Sequence, residues 1–438
     1  MEYFVCEEKD IDKELSIDKK YNLPQDVSVI NYKEYTIIVH PEGVSWLVTD
    51  NKGLEVFKFL VNDHSIKEAL ENFDEESVIN IITQIEAKQF DKFKLKINND
   101  INMYIYLTNN CNLRCKHCYM YSGDIKIEEL SSDVWKRVIK EFADNGGTGI
   151  TYTGGEVLLY KDFFELLKYS HELGIRNTIL TNGVLWNEMM IKENKDYIDE
   201  VQVSLDGYDK ESYYAVRKFD GFDKVINIIK LFQKYNVNTS VAVTPIFDKI
   251  DEFVFNFEKF AKSFIEKNNV IIKINLELLE GRDIHLTYTE NKEYRTKLNG
   301  LVERLYPNFY ESTFVLNYTE SNCKKNCGFG GITLAANGDV YWCNQILKLT
   351  SSYNINDVSM KDIIKISEKM KEKTSVDNSS ICKNCEIKYI CSGGCRLKYK
   401  DIENADNYSG IWKNKCDQEY KNSIIEKMIN CNEYFFVD

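Results

Sequence analysis

Three cysteines constrain this chain more than any other feature. Cys111, Cys115 and Cys118 lie in the segment CNLRCKHCY at spacing C-x3-C-x2-C, after an apolar, aromatic run, Met103–Leu107, that reads as a short strand. Three thiolates on one loop can hold three corners of a [4Fe–4S] cluster, which leaves one iron without a protein ligand. An electron carrier uses four cysteines; an open corner can bind a small molecule and pass it an electron. Structural zinc is the competing reading. Zinc wants four protein ligands, commonly C-x2-C pairs across a longer gap. His117 would have to close the tetrahedron from between two of the cysteines, where it would be strained.

The 438 residues suggest two to four domains, and 43% hydrophobic residues are enough for ordinary cores. A net charge of −13 argues against a nucleic-acid partner, which calls for a basic footprint. Thirteen cysteines would suggest disulfides in a small secreted chain. Here residues 1–24 are charged throughout (EEKDIDKELSIDKK) and hold no apolar h-region, so a signal peptide is not expected. No apolar run reaches the roughly 18 residues of a membrane span. Reduced, metal-binding cysteines in a cytoplasmic protein fit best.

Along the chain, Val27–Asn31, Tyr35–His40 and Val44–Val48 alternate like strands, linked by Tyr32-Lys33-Glu34 and Pro41-Glu42-Gly43. Helical periods follow at Leu54–Val61, Ser65–Phe73 and Glu75–Lys88, with Ser65 and Glu68 at capping-box spacing. Phe90–Asp100 reads as a linker. From Met103 strands alternate with helices: Met103–Thr108, Gly149–Thr153, Arg176–Thr181, Glu200–Leu205, Thr239–Thr244 and Val270–Leu278. Intervening helices include Ser132–Ala143 (Ser132 as N-cap, Gly146-Gly147 as stop), Asp162–Leu173 and Phe222–Tyr235. Such alternation predicts a parallel sheet.

Special residues fall at the C-terminal ends of these strands, where βα sheets place their chemistry. They are the cysteine loop, Gly154-Gly155-Glu156, Thr181-Asn182-Gly183, Ser204-Leu205-Asp206-Gly207 and Gly281-Arg282-Asp283. His40, His64, His171 and His285 form no ligand pattern. Beyond Ser321, Asn337-Gly338 between two short apolar runs signals a hairpin. Cysteines recur at 323, 327, 343, 382, 385, 391, 395 and 416; zinc ribbons are the alternative for this group.

C-x3-C-x2-C followed by an aromatic residue resembles the signature loop of the radical S-adenosylmethionine (SAM) superfamily. The resemblance implies a partial (β/α)6 barrel in which SAM chelates the open iron through its amino and carboxylate groups. It also implies reductive cleavage to a 5′-deoxyadenosyl radical that takes a hydrogen atom from substrate. By the same resemblance Gly154, Gly155 and Glu156 match the motif that binds the SAM ammonium, and Asn182 joins the SAM-binding set. Ser204 matches the ribose contact, though alone it is a strand-end serine. Arg217, in VRKFDGF, matches a carboxylate partner, with a surface ion pair as the alternative. Tyr119 meets adenine largely through its backbone. Asp206 reads either as a substrate-side catalytic acid or as a turn-former.

The front segment, three strands and three helices, resembles the winged-helix-like PqqD-type recognition element of peptide-modifying enzymes. The C-terminal cysteines resemble the SPASM domain. That resemblance implies one auxiliary cluster on Cys382, Cys385, Cys391 and Cys416, and a second on Cys323, Cys327, Cys343 and Cys395. With the barrel this makes three [4Fe–4S] clusters. The expected architecture is α/β: a recognition module over 1–97, a barrel over 98–310 and a SPASM domain over 311–438. ITYTGGEV, LTNGVL, VSLDG, EGRDI and CSGGCRLK look similar to the maturases of sactipeptides. The expectation is a cross-link, a Cys sulfur-to-carbon thioether, installed in a ribosomally made precursor peptide whose leader binds the front module. A flavodoxin or ferredoxin-type protein supplies electrons, and neither nucleic acid nor membrane is a partner. Carbon–carbon cross-linking, a formylglycine-forming sulfatase maturase and a non-catalytic cluster scaffold are the alternatives. Cys6 and Cys431 are not expected to be ligands.

Overall fold

The computed structural model describes residues 15–41, 44–92, 100–278, 280–306, 325–344, 352–394, 416 and 418–432. Cys6, Cys323, Cys395, the Glu42-Gly43 turn and most of the expected linker, 93–99, lie outside them.

The front of the chain forms a three-stranded antiparallel sheet, β1 (Ser28–Tyr32), β2 (Tyr35–Val39) and β3 (Trp46–Thr49). Three helices follow: α1 (Asn51–Val61), α2 (Ile66–Asn72) and α3 (Glu75–Lys88). The capping box at Ser65 is present: its side chain accepts from Glu68 N, and Glu68 accepts from Ser65 N at 2.7 Å. Alternation along β2 and β3 divides the sheet's two faces, as a pleat requires. Ile38 and Leu47 pack with the helices. Ile37, Val39, Trp46 and Val48 pack on a C-terminal helix with Ile425 and Met428. Both faces are therefore covered, which explains why Ile37-Ile38-Val39 is apolar without interruption.

The main sheet holds six parallel strands in chain order: β4 (Ile101–Tyr106), β5 (Gly147–Thr153), β6 (Arg176–Thr181), β7 (Glu200–Ser204), β8 (Asn238–Val243) and β9 (Ile271–Ile274). Between them run α4 (Ser132–Asp144), α5 (Phe163–Glu172), α6 (Glu188–Asn194), α7 (Lys210–Arg217), α8 (Phe222–Lys234) and α9 (Ile250–Asn268), and α10 (Tyr288–Leu305) follows β9. Trp135, Val138, Ile139 and Phe142 place one stripe of α4 against the sheet at spacing i, i+3, i+4, i+7. The cap of α4 is Ser131, not Ser132: Ser131 accepts from Val134 N and leaves Ser132 as the first helical residue. β9 is four residues long, and Asn275–Leu278 continues without regular structure, which shortens the expected strand Val270–Leu278.

The hairpin at Asn337-Gly338 forms from β10 (Ile332–Leu334) and β11 (Val340–Tyr341), with Gly338 at φ 86° where a side chain would be strained. β10 pairs in parallel with β4, placing Ile332 opposite Met103 and Leu334 opposite Ile105. The sheet thus has eight strands, in the order β11-β10-β4-β5-β6-β7-β8-β9. α11 (Met360–Lys373), the short turn α12 (Lys388–Cys391) and α13 (Gln418–Asn432) complete the described residues. Among them no helix is long and apolar enough to cross a membrane.

Candidate active site

The cysteine loop leaves β4 and is gripped from several strand ends. Gly155 N donates to Thr108 O at 2.8 Å and Glu156 N to Asn110 O at 2.9 Å. A Cβ on Gly154 would sit 2.5 Å from Thr108 O, and one on Gly155 would sit 2.1 Å from Asn110 O. The glycine pair is required by close approach of the chain's own backbone at the entrance to the loop.

Glu156 is 1% exposed. Its carboxylate accepts from Thr181 Oγ1 at 2.6 Å and from Asn182 N at 2.8 Å. Thr181 Oγ1 already accepts from Gly183 N at 3.0 Å and Trp186 Nε1 at 3.1 Å, so its proton has to go to Glu156. Position 156 therefore needs two acceptor oxygens. Burial raises the Glu156 carboxyl above its ordinary range, against the smaller opposing pull of these donors. Asn182 continues the chain of contacts: its Nδ2 donates to Asn112 Oδ1 at 2.9 Å and approaches Cys111 Sγ at 3.9 Å. The GGE and TNG motifs and the first cysteine are thus one connected unit.

Beneath Cys115 lies a buried charged group. Arg217, the last residue of α7, has Nη1 3.4 Å from Cys115 Sγ and Nε 2.5 Å from Asp206 Oδ2. Asp206 is 1% exposed and also accepts from Thr244 N at 2.6 Å. His117 Nε2 is 3.5 Å from the same carboxylate, and burial holds this imidazole down to about 4. The ion pair at Arg217 is buried, which overturns the surface alternative. Ser204 ends β7, and beside it a recess of ≈ 220 Å³ is lined by Gln202, Thr244, Lys273 and Asn275 among others.

A second clamp was not legible as such. Arg282 donates to Cys115 O and to Ser122 O, each at 2.9 Å, and pairs with Asp124 at 2.7 Å. Arg114 takes the other oxygen of Asp124 at 2.9 Å and donates to Cys111 O, Leu113 O and Gly123 O. A Cβ on Gly281 would press 2.7 Å from His117 C. The segment EGRDI marked this strand end; that it fastens the cysteine loop comes from the contacts.

Tyr119 does more with its side chain than was expected. Its hydroxyl shares a 2.7 Å hydrogen bond with Tyr106, and both hydroxyls reach Asn344 O, at 3.3 and 2.8 Å. Asn344 follows Cys343, so the cysteine loop is tied to the segment that carries Cys343. Tyr119→Phe is expected to cost about 0.5–1.5 kcal/mol of stability, a typical net hydrogen bond, while leaving iron content unchanged; thermal melts beside iron assays check this.

Among the described residues no three His, Cys, Asp or Glu side chains converge on one metal ion. A cubane differs from a single ion in this respect, since each of its irons takes its own thiolate. Cys111, Cys115 and Cys118 are near enough that the other two raise Cys111, which burial lifts to about 11. Thiolates there need a cation, as iron would provide. Among the described residues two buried polar atoms near Cys115, His117 Nδ1 and Tyr213 OH, lack hydrogen-bond partners, while Asp206 Oδ2 and Arg217 Nε meet each other as an ion pair. Such unmet polarity fits a site built to receive a polar ligand. In the C-terminal region, Cys391 and Cys416 both bear on Tyr420, Cys382 on Cys391, and Cys391 on Cys385. Cys327 is exposed and Cys343 half-buried.

The family model described as the Radical SAM superfamily matches residues 105–254. The chain is 35% identical over 154 residues to the sporulation killing factor maturation protein SkfB of Bacillus subtilis (strain 168), covering 35% of this chain and 37% of that protein. It is 27% identical over 333 residues to a cysteine-type anaerobic sulfatase-maturating enzyme of Clostridium novyi (strain NT), covering 66% of this chain and 86% of that one. The solved structure of native anSMEcpe with bound AdoMet superposes with a TM-score of 0.55 at 22% identity, over 76% of this chain and 100% of that one, a likeness of fold. Residues 105–254 form a radical SAM domain, and the chain that carries it is an enzyme.

Proposed function

We propose that this enzyme installs a cross-link in a ribosomally made precursor peptide, a thioether from a cysteine sulfur to a peptide carbon. The similarity to a killing-factor maturation protein supports the substrate class. The observation that carries it is in the front module. Gln84 on α3 uses its side-chain amide twice on one residue of the outer strand β3: Val48 N donates to Oε1 at 2.8 Å, and Nε2 donates to Val48 O at 2.7 Å. A primary amide there imitates the peptide group of a neighbouring strand. Lys88 Nζ caps Trp46 O at 2.6 Å in the same row. The β3 edge is therefore a strand-shaped slot filled by side chains. A leader peptide that displaces them gains ladder hydrogen bonds, the usual route of strand addition, and raises the local concentration of its core segment at the barrel mouth.

In this reading Cys111, Cys115 and Cys118 hold the SAM-cleaving cluster, and the C-terminal cysteines hold two auxiliary clusters. When bound, reduced cluster and SAM would supply a radical that takes one hydrogen atom from the peptide carbon, while the cysteine thiol would lose its proton to solvent and the remaining electron would pass to an auxiliary cluster as the S–C bond forms. Glu156 accepts from the SAM ammonium. Arg217 faces its carboxylate, Ser204 and the recess beside it receive the ribose, and the backbone at Tyr119 meets adenine. Asn182 keeps Glu156 and the cysteine loop in register. The domains run 1–97, 98–310 and 311–438, the reductant is of flavodoxin or ferredoxin type, and the setting is cytoplasmic. The second reading, sulfatase maturation, is favoured by the long match to the Clostridium novyi protein.

Deleting residues 1–97 is a poor test, because it would uncover Ile425, Met428 and Cys431 of α13. Point variants are cleaner. Val48→Pro removes the slot's donor and is expected to weaken binding of the precursor's leader peptide at least about tenfold, the scale of a hydrogen bond plus strand distortion. Gln84→Ala removes the competitor and should tighten it by roughly two- to tenfold. Fluorescence anisotropy reads both, with leader-independent SAM cleavage as the control. Equal leader affinity in all three proteins would reduce the module to a structural cap.

A further inference from the structure

We propose that Asp206 and Arg217 are a charge-setting pair for the cysteine loop: Asp206 anchors Arg217 against Cys115, and their balance sets how readily a cluster on that loop is reduced. The inference rests on the reading of Cys111, Cys115 and Cys118 as cluster ligands.

The geometry fixes both partners. Asp206 is held by Thr244 N at the end of β8, on one oxygen, and faces Arg217 with the other. The Nε–Oδ2 separation is 2.5 Å, yet neither atom is aligned for a hydrogen bond, so the attraction is electrostatic. Arg217 cannot swing far. A Cβ on Gly207 would lie 2.4 Å from Tyr213 N, so α7 is pressed onto the strand end, and Val216 O accepts from Lys116 N at 3.0 Å. The free edge of the guanidinium is thereby presented to Cys115 Sγ at 3.4 Å. His117 Nε2 lies 3.5 Å from the Asp206 carboxylate. Asp206 reaches no open space, so its part is positioning rather than contact with substrate.

Reduction potentials of iron–sulfur clusters follow local charge and hydrogen bonds to their sulfurs. A buried pair is nearly neutral, and removing one member leaves the other's charge uncompensated. The step concerned is the addition of one electron to the oxidised cluster from a one-electron donor of the flavodoxin or ferredoxin class, with dithionite in its place in the assay. No bond breaks and no proton moves. An uncompensated guanidinium favours the added electron; an uncompensated carboxylate, without the N–H beside Cys115, opposes it.

The test is an EPR-monitored redox titration of the full-length, reconstituted protein without SAM. The barrel cluster is identified as the signal missing when Cys111, Cys115 and Cys118 are all alanine. Asp206→Asn should raise the reduced-to-oxidised ratio at a fixed potential at least tenfold, and Arg217→Met should lower it at least tenfold, each about 59 mV for one electron. Arg217→Lys, which keeps the charge, should fall between wild type and Arg217→Met. A merely structural role would lower stability in both without shifting the potentials in opposite directions. Shifts of the same sign, or none, overturn the proposal. Should Arg217→Met fail to assemble, Asp206→Asn decides by the sign of its shift. Absence of the signal from wild type would overturn the cluster reading itself, and is distinguishable on that ground.

Discussion

Changing Cys111, Cys115 and Cys118 together to alanine is expected to remove about one third of the iron from reconstituted protein and all SAM cleavage, since each [4Fe–4S] cluster carries the same four irons. The loop should survive the change. It is held by backbone carbonyls rather than sulfurs: Arg282 grips Cys115 O and Ser122 O, and Arg114 grips Cys111 O, Leu113 O and Gly123 O. The triple variant should therefore remain folded, with the C-terminal cysteines loaded. Iron quantitation and assay of 5′-deoxyadenosine check it together. SAM cleavage persisting in this variant would remove the basis for placing the chemistry at this loop.

Glu156→Ala is expected to weaken SAM binding at least tenfold while most iron is retained. Thr181 and Asn182 occupy two of the carboxylate's roughly four acceptor sites. About two are left for an ammonium, and a charge-assisted bond of that kind is worth about 1.5–3 kcal/mol. Alanine also strands the Thr181 hydroxyl and the Asn182 N–H in a buried place, at about 1–3 kcal/mol each. Glu156→Gln separates the two effects. It keeps an acceptor for Asn182 N, but meets the Thr181 hydroxyl with an amide that cannot accept. Loss of affinity in Gln with a smaller loss of stability than in Ala would assign the ammonium contact to the charge. Calorimetric isotherms at the wild-type affinity for both variants would refute that contact.

Much of the fold was legible because its signals are local. Strand-helix alternation, the Asn337-Gly338 turn and the capping box at Ser65 are set by neighbours within a few residues, and each forms as read. The boundary errors share a cause. Two adjacent serines, 131 and 132, offer the same cap, and only the direction in which the chain enters α4 selects between them. β9 stops early at Ile274 because its downstream residues turn toward the cysteine loop, where Asp283 N bonds Lys116 O at 2.9 Å.

Partnerships were not legible. The motif marks Glu156 as a ligand for SAM; the structure adds that Thr181 and Asn182 fix it in place. The sequence leaves two roles open for Asp206, and the structure shows its carboxylate buried against Arg217 and Thr244.

The sequence by itself determined the spacing of three thiolates on one loop, and the gathering of special residues at one end of a parallel sheet. Both follow from periodicity and from the rule that crossover connections return every strand in the same direction. Tertiary structure alone decided which side chains meet. Trp46 Nε1 bonds Met428 O at 2.9 Å across 382 residues, and Arg282 bonds Cys115 O across 167. β10 joins the edge of β4, and Gln84 fills the edge of β3. Contacts so remote leave no periodic trace. They are selected by burial and by the need of every buried donor and acceptor to find a partner, and that requirement is settled only when the whole chain has packed.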